Sequence, residues 1–320
     1  MAFPLQMRST NLQYGQLTWM QAPSPSVKQI LGYCALRYAT THLSVPQMQF
    51  LLGTTLQVYT KWAKQSHLPV VVDELGEDAR LMWIGGGYLL PATDFSLSFW
   101  RYVQIELEKR GIELDIALLQ YSLAPRATFP TPLNQAHLTL EFLIAAGVQP
   151  GNLQITGDSA GGNLVLQLLS HILHPRPSVP EIHLAAPIRG AFLMSPWVSL
   201  TADSQSHTQC DGMDMLTKRA WGRQILADFP ETEVAFSPPA KAPESWFKGV
   251  DGAVDRVLIT AGGAECLHDD IVEFSEGFKK QHCNVEGLHG DTFLDFFTGE
   301  KKLGSLTPVI LDWIAPGFNQ

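Results

Sequence analysis

Apolar residues follow two rhythms along this chain. Up to about residue 65 they recur at helical spacing: Ile30, Leu31, Cys34, Leu36 and Tyr38, then Met48, Leu51, Leu52, Leu56 and Tyr59, interrupted by Pro23, Pro25 and Pro46. This predicts two or more amphipathic helices packed on a domain. From residue 70 short β-branched runs alternate with helical stretches. Strands are predicted at Pro69–Leu75, Arg80–Ile84, Leu114–Tyr121, Leu153–Thr156, Arg189–Met194 and Arg256–Thr260, with a short one around Val285. Helices are predicted from Asp94, a plausible N-cap, to a stop at Gly111, then from about Pro132 to Ala146, Asn163 to Ile172, His268 to Lys280 and Leu306 to Ile314. Residues 200–248 break the rhythm. They are polar, proline-rich and irregular, with one helix near Lys218–Phe229, and read as an insertion.

Strands separated by helices imply parallel pairing through right-handed crossovers. The expected class is α/β, with a mostly parallel central sheet covered by helices on both faces, in a single domain over residues 1–320. Such sheets place their sites at the carboxyl ends of the strands.

Composition narrows the function. A hydrophobic fraction of 45% and a charged fraction of 17% describe a globular chain with a sizeable core. The net charge of −9 comes without a basic cluster, which excludes a nucleic-acid footprint. Cys34, Cys210, Cys266 and Cys283 form no CxxC pair and no His/Cys group of metal-binding spacing, so reduced thiols and no metal are expected. The stretch MAFPLQMRSTNLQYGQ lacks a basic segment followed by an apolar one, and no run approaches the ~18 apolar residues of a membrane span. A cytoplasmic protein is expected. The polar faces of the first helices are not rich in Lys or Arg, which disfavours membrane contact.

The chemistry concentrates at strand ends. Gly157-Asp158-Ser159-Ala160-Gly161 fits G-x-S-x-G, with LQIT before it and NLVLQLL after it. In that strand–turn–helix context the serine occupies a strained turn, small neighbours let backbones approach, and the helix dipole faces the developing charge. The bland alternative is a glycine-rich βα turn with an unreactive serine. Acyl transfer also needs N–H donors for an oxyanion. Ala160 offers one backbone amide, and Gly85, Gly86 and Gly87, after an earlier strand, offer others. A phosphate cradle would need Lys-Ser/Thr after the glycines, where Tyr88-Leu89 stand instead.

An orienting carboxylate belongs just past a later strand. Glu265 sits there in AGGAECLHDD, with Asp269 as the second candidate, although Asp269 and Asp270 also read as N-terminal helix charges. Of the later histidines, His268 follows the acid too closely and His282 ends a helix among Lys279, Lys280 and Gln281. His289 follows NVEGL, and is expected on a loop beyond the last strand, where a general base belongs.

These residues resemble the hormone-sensitive-lipase-like branch of the α/β hydrolases. The resemblance rests on Ile84-Gly85-Gly86-Gly87, Tyr121-Ser122-Leu123-Ala124-Pro125, GDSAGG at 157–162, Ser195-Pro196-Trp197, and Glu265-Cys266-Leu267-His268-Asp269. It implies a Ser159–Glu265–His289 triad, an acyl-enzyme without metal or organic cofactor, and a cap built from residues 1–65 and 200–248. Tyr88, Trp221, Phe229 and Trp246 are then candidate substrate contacts, with a packing role equally open for the cap residues. Ile84 stands where the branch has histidine, Ser122 where it has arginine, Glu265 where it commonly has aspartate. Such drift resembles fungal hydrolases of specialised metabolism.

The expected function is hydrolysis of a carboxylic ester of a hydrophobic small molecule. A cyclase, lyase or acyltransferase using the same residues, or an amidase, is the alternative. A ligand receptor on this fold is disfavoured because His289 is retained. Oligomeric state is open, a homodimer included.

Overall fold

The structure, a computed structural model, describes residues 42–82, 93–201, 203–209, 233–263, 265–289 and 306–318, with positions 27, 31, 38, 39, 221–223, 225, 226 and 229. Two sheets organise them. Strands β1 (Val72–Gly76), β2 (Ala79–Met82) and β3 (Leu118–Gln120) form one in that order. Strands β4 (Gln154–Asp158), β5 (Gly190–Met194), β6 (Val257–Ala261) and β7 (Val285–His289) form the other.

The second sheet is parallel throughout and carries the expected architecture. Its strands alternate faces with period two. Ala191 and Leu193 of β5, with Val257, Ile259 and Ala261 of β6, face a core shared with α5 (Ala160–Leu173) and α7 (His268–Lys279). Phe192, Met194 and Leu258 face the opposite way, onto α3 (Asp94–Glu108) and α8 (Leu306–Ile314). Every residue of β5 and β6 is buried, as a strand covered on both sides requires.

The first sheet departs from expectation, because both of its pairings are antiparallel. The reason is local at one edge. Glu77 and Asp78 take φ of 50° and 60°, so a tight two-residue turn folds β2 back on β1. Strand β3 nonetheless pairs antiparallel with β2 after the α3 crossover, and it covers only three of the eight residues expected.

Ahead of these sheets lie α1 (Val45–Leu52) and α2 (Thr55–Gln65), each opened by a reciprocal Ser/Thr–Gln cap and separated at Gly53, whose φ is 76°. Their apolar spacing only partly marks buried faces. Met48 and Tyr59 are buried, whereas Leu51 and Leu52 are 67% and 40% exposed. Helix α4 (Thr131–Ala145) joins the two sheets. Its Gln135 binds the Glu77 carbonyl and the Ser122 hydroxyl, while its inner face packs on α5. No described helix is long and apolar enough to cross a membrane.

Candidate active site

The parallel register brings the predicted residues to one edge. Asp158, Met194, Thr260 and Leu288 pair in a lateral row across β4–β7. One residue further lie Ser159, Ser195, Ala261 and His289, and Ala261 pairs with His289. Ser159 and His289 therefore sit at the same level, at opposite sides of this sheet's carboxyl edge. Contrary to the loop expected, His289 is the last residue of β7. The orientation of its ring lies outside the described residues, as do Gly85, Gly86, Gly87 and Tyr88.

Ser159 leaves the sheet in an unusual conformation, with φ 49° and ψ −112°. A non-glycine residue held there costs about 1–3 kcal/mol and persists only where its surroundings enforce it. Three backbone bonds do so: Ser159 N–H donates to Met194 O at 2.9 Å, and Ser159 O accepts from Trp197 N–H at 2.8 Å and Asn163 N–H at 3.2 Å. Serine at an N-cap ordinarily bonds back to its own helix, but Ser159 makes no such side-chain cap. Its hydroxyl is therefore not spent on the helix it begins. Ala160 is the first residue of α5, so its N–H has no acceptor within the helix and is available to an oxyanion.

The glycine requirement is narrower than the motif suggests. A Cβ on Gly157 would come within 2.2 Å of the Gly161 backbone, and one on Gly162 within 2.7 Å of Pro196 Cβ. At Gly161 a Cβ would meet nothing within 4 Å among the described residues. Close approach is thus needed at the first and third glycines.

A buried network, not foreseen from the sequence, braces the elbow. Asn163 Nδ2 donates to Trp197 O at 2.8 Å, and Asn163 Oδ1 accepts from Gln167 at 2.7 Å and Ser237 at 3.1 Å. The signal was available: a polar residue follows GDSAGG where helical spacing turns it inward, one turn beyond Ser159. This network locks the Ser195-Pro196-Trp197 turn to the nucleophile's helix, and fully paired polar groups at low dielectric specify one arrangement.

Glu265 lies in the turn after β6, half-buried, and accepts from Gly262 N–H at 2.9 Å. The second candidate is engaged elsewhere: Asp269 Oδ2 accepts from Ser206 N–H at 2.7 Å, and Oδ1 lies 3.0 Å from His268 Nδ1. His268 and His282 are likewise committed, the latter to the Val254 carbonyl at 2.8 Å.

Trp246 has the partners of a packing residue. Its ring stacks on His174 at 3.9 Å and its Nε1 donates to Ser170 Oγ at 3.0 Å, near the end of α5 away from Ser159. Trp221 is half-buried against the main core. Phe229 packs 4.4 Å from Phe129 and, with Ile225, Leu200, Asn163 and Gln167, lines a cavity of about 40 Å³. Phe229 is thus the candidate that lines this cavity, and Tyr88 lies outside the described residues.

Known proteins share this pattern of sequence and fold. A family model described as alpha/beta hydrolase fold matches residues 85–291, from the first glycine of the glycine loop to two residues past His289. An acetyl-hydrolase of Streptomyces hygroscopicus is 27% identical over 155 residues, covering 48% of this chain and 48% of its own. An esterase of Acinetobacter venetianus is 26% identical over 192 residues, covering 60% and 58%. The chain thus spans about half the length of these curated relatives. Among solved structures, an esterase from the bacterial hormone-sensitive lipase family superposes with a TM-score of 0.62 at 18% identity, covering 93% of this chain and all of that one. That likeness is one of fold.

Proposed function

This chain belongs to the alpha/beta hydrolase family, and from that premise we propose that it is a serine esterase cleaving carboxylic esters of hydrophobic small molecules. The observation that carries the reading is Ser159. It is forced into a strained elbow with no cap bond from its hydroxyl, on the sheet edge that also holds His289 and the Glu265 turn.

In this mechanism His289 takes the proton of Ser159 Oγ as the oxygen attacks the ester carbonyl, and the tetrahedral oxyanion is held by the Ala160 amide with amides of Gly85–Gly87. Collapse expels the alcohol, which receives the proton from His289. Water, deprotonated by the same histidine, then releases the acid and restores the serine. Glu265 orients the imidazole and stabilises its charged form. The steps need no metal or organic cofactor. In this reading residues 1–65 and 200–248 supply a cap, and Phe229 and Ile225, which line a cavity beside Asn163 and Gln167 of the nucleophile's helix, shape a short acyl site. The acetyl-hydrolase and esterase relatives support the reaction class.

The test is a series of p-nitrophenyl esters from acetate to octanoate, run on wild type, Glu265→Ala and Asp269→Ala. Glu265→Ala is expected to lose about 10³–10⁴-fold in kcat, and Asp269→Ala no more than about tenfold, since its carboxylate is already engaged. The larger loss in Asp269→Ala would move the acid to that residue.

A further inference from the structure

A described part of the insertion reaches into the turn that carries Glu265. Helix α7 begins three residues after Glu265 and has no side-chain cap of its own, since Leu267 stands at its N-cap. Its first turn carries Asp269 and Asp270. The missing cap is supplied from 60 residues away by the four-residue helix α6 (Ser206–Gln209).

Ser206 Oγ accepts from Asp269 N–H at 3.2 Å and donates to Cys266 O at 2.8 Å. In return, the Asp269 carboxylate accepts from Ser206 N–H at 2.7 Å. One hydroxyl is used as acceptor and as donor, and the reciprocal pair has the form of a capping box between distant segments. Beside it, His207, wholly buried, places Nε2 3.0 Å from Asp270 Oδ2. The carbonyl gripped by Ser206 is that of Cys266, the residue directly after Glu265. Cys266 and Leu267 are buried, so the turn is held from outside by Ser206 and from beneath by the core.

We propose that Ser206, seconded by His207, is a positioning residue for Glu265, so that the insertion sets the orientation of the catalytic acid. This rests on the serine-esterase reading. Ser206 touches neither substrate nor the reacting atoms. It acts through the Cys266 carbonyl and the first turn of α7. An acid displaced by a fraction of an ångström no longer orients the base, and a small misplacement of a positioned group lowers turnover without altering how substrate binds.

The experiment measures kcat and KM separately with p-nitrophenyl acetate for full-length wild type, Ser206→Ala, Ser206→Thr and Asp269→Asn, each with a thermal unfolding midpoint. Ser206→Ala is expected to lower kcat about tenfold with KM within twofold, and Ser206→Thr, which keeps a hydroxyl, to recover at least half of kcat. Asp269→Asn keeps an acceptor for Ser206 N–H and its own N–H, so it should lose less than Ser206→Ala. If the alanine variant does not fold, Ser206→Cys, which keeps the side-chain volume but weakens both hydrogen bonds of the hydroxyl, carries the test, a kcat loss at constant KM supporting the proposal and an unchanged kcat overturning it. A folded Ser206→Ala with wild-type kcat, a loss confined to KM, or a threonine variant as impaired as alanine would overturn it. Failure of the underlying reading looks different, because wild type itself would then show no Ser159-dependent turnover.

Discussion

The two sheets of this molecule meet across α4 yet differ in kind. The parallel sheet β4–β7 is sandwiched, with β5 and β6 buried along their whole length, and it presents Ser159, the Glu265 turn and His289 at a single edge. The antiparallel sheet β1–β3 is half-exposed along β1, closes on a tight turn, and contributes none of the candidate catalytic residues among the described positions. The candidate site thus lies where backbone geometry is most strongly determined. A serine at φ 49° needs a rigid neighbourhood to stay there, and only the sandwiched sheet supplies one.

The comparison can be broken first at the glycines. Gly157→Ala drives a Cβ to 2.2 Å from the Gly161 backbone, which cannot yield without moving Ser159. Ester turnover is expected to fall by at least about 100-fold, since a shift near 1 Å in a reacting group costs that much. Gly76→Ala, in the β1–β2 turn, meets no neighbour but imposes φ 89° on alanine. It should cost about 1–2 kcal/mol in denaturant unfolding while kcat stays at the wild-type value. Equal loss of activity from both would erase the distinction between the sheets.

Core truncations sharpen it next. Phe192, 1% exposed in β5, packs between α3 and α8, so Phe192→Ala should destabilise by about 3–5 kcal/mol. Val72→Ala in half-exposed β1 should cost about 1 kcal/mol or less. Urea unfolding midpoints check both.

Much of the parallel half was legible because its signals are local. The elbow declares itself in six residues, and the runs at Gly190–Met194 and Val257–Ala261 are apolar on both faces, as buried parallel strands must be. The antiparallel half was not. Of its turn residues Glu77 and Asp78, glutamate seldom adopts positive φ, and no Asn-Gly or Asp-Gly pair announced a tight turn. Leu51 and Leu52 suited a helix face but lie exposed, because Gly53 and Thr54 end one helix and start another, resetting the face. Ser206 and His207 were invisible for a further reason: their meaning lies in partners some 60 residues away, and no periodicity encodes that. Asn163 stood between these cases, adjacent to a motif but with partners visible only after folding.

The smallest effect concerns the helix that joins the sheets. His137 of α4 is fully buried near His171, and burial pushes its ring below the usual histidine range, an effect that Glu141 partly opposes. The unfolded chain therefore binds this proton more readily. Stability is full above about pH 6.5, the ordinary histidine value, and declines as pH falls toward the lowered folded value. His137→Phe, which cannot take up the proton, should flatten that decline in urea titrations between pH 7 and pH 5. A decline unchanged by the substitution would assign it to other groups.

Whether Ser159 is a nucleophile is decided most directly by the turnover of p-nitrophenyl acetate by wild type and Ser159→Ala, matched for folding by their unfolding midpoints. Wild type is expected to turn over, and Ser159→Ala to fall by about 10⁴-fold or more at an unchanged midpoint. A folded Ser159→Ala that keeps more than about one hundredth of the wild-type rate would contradict that role.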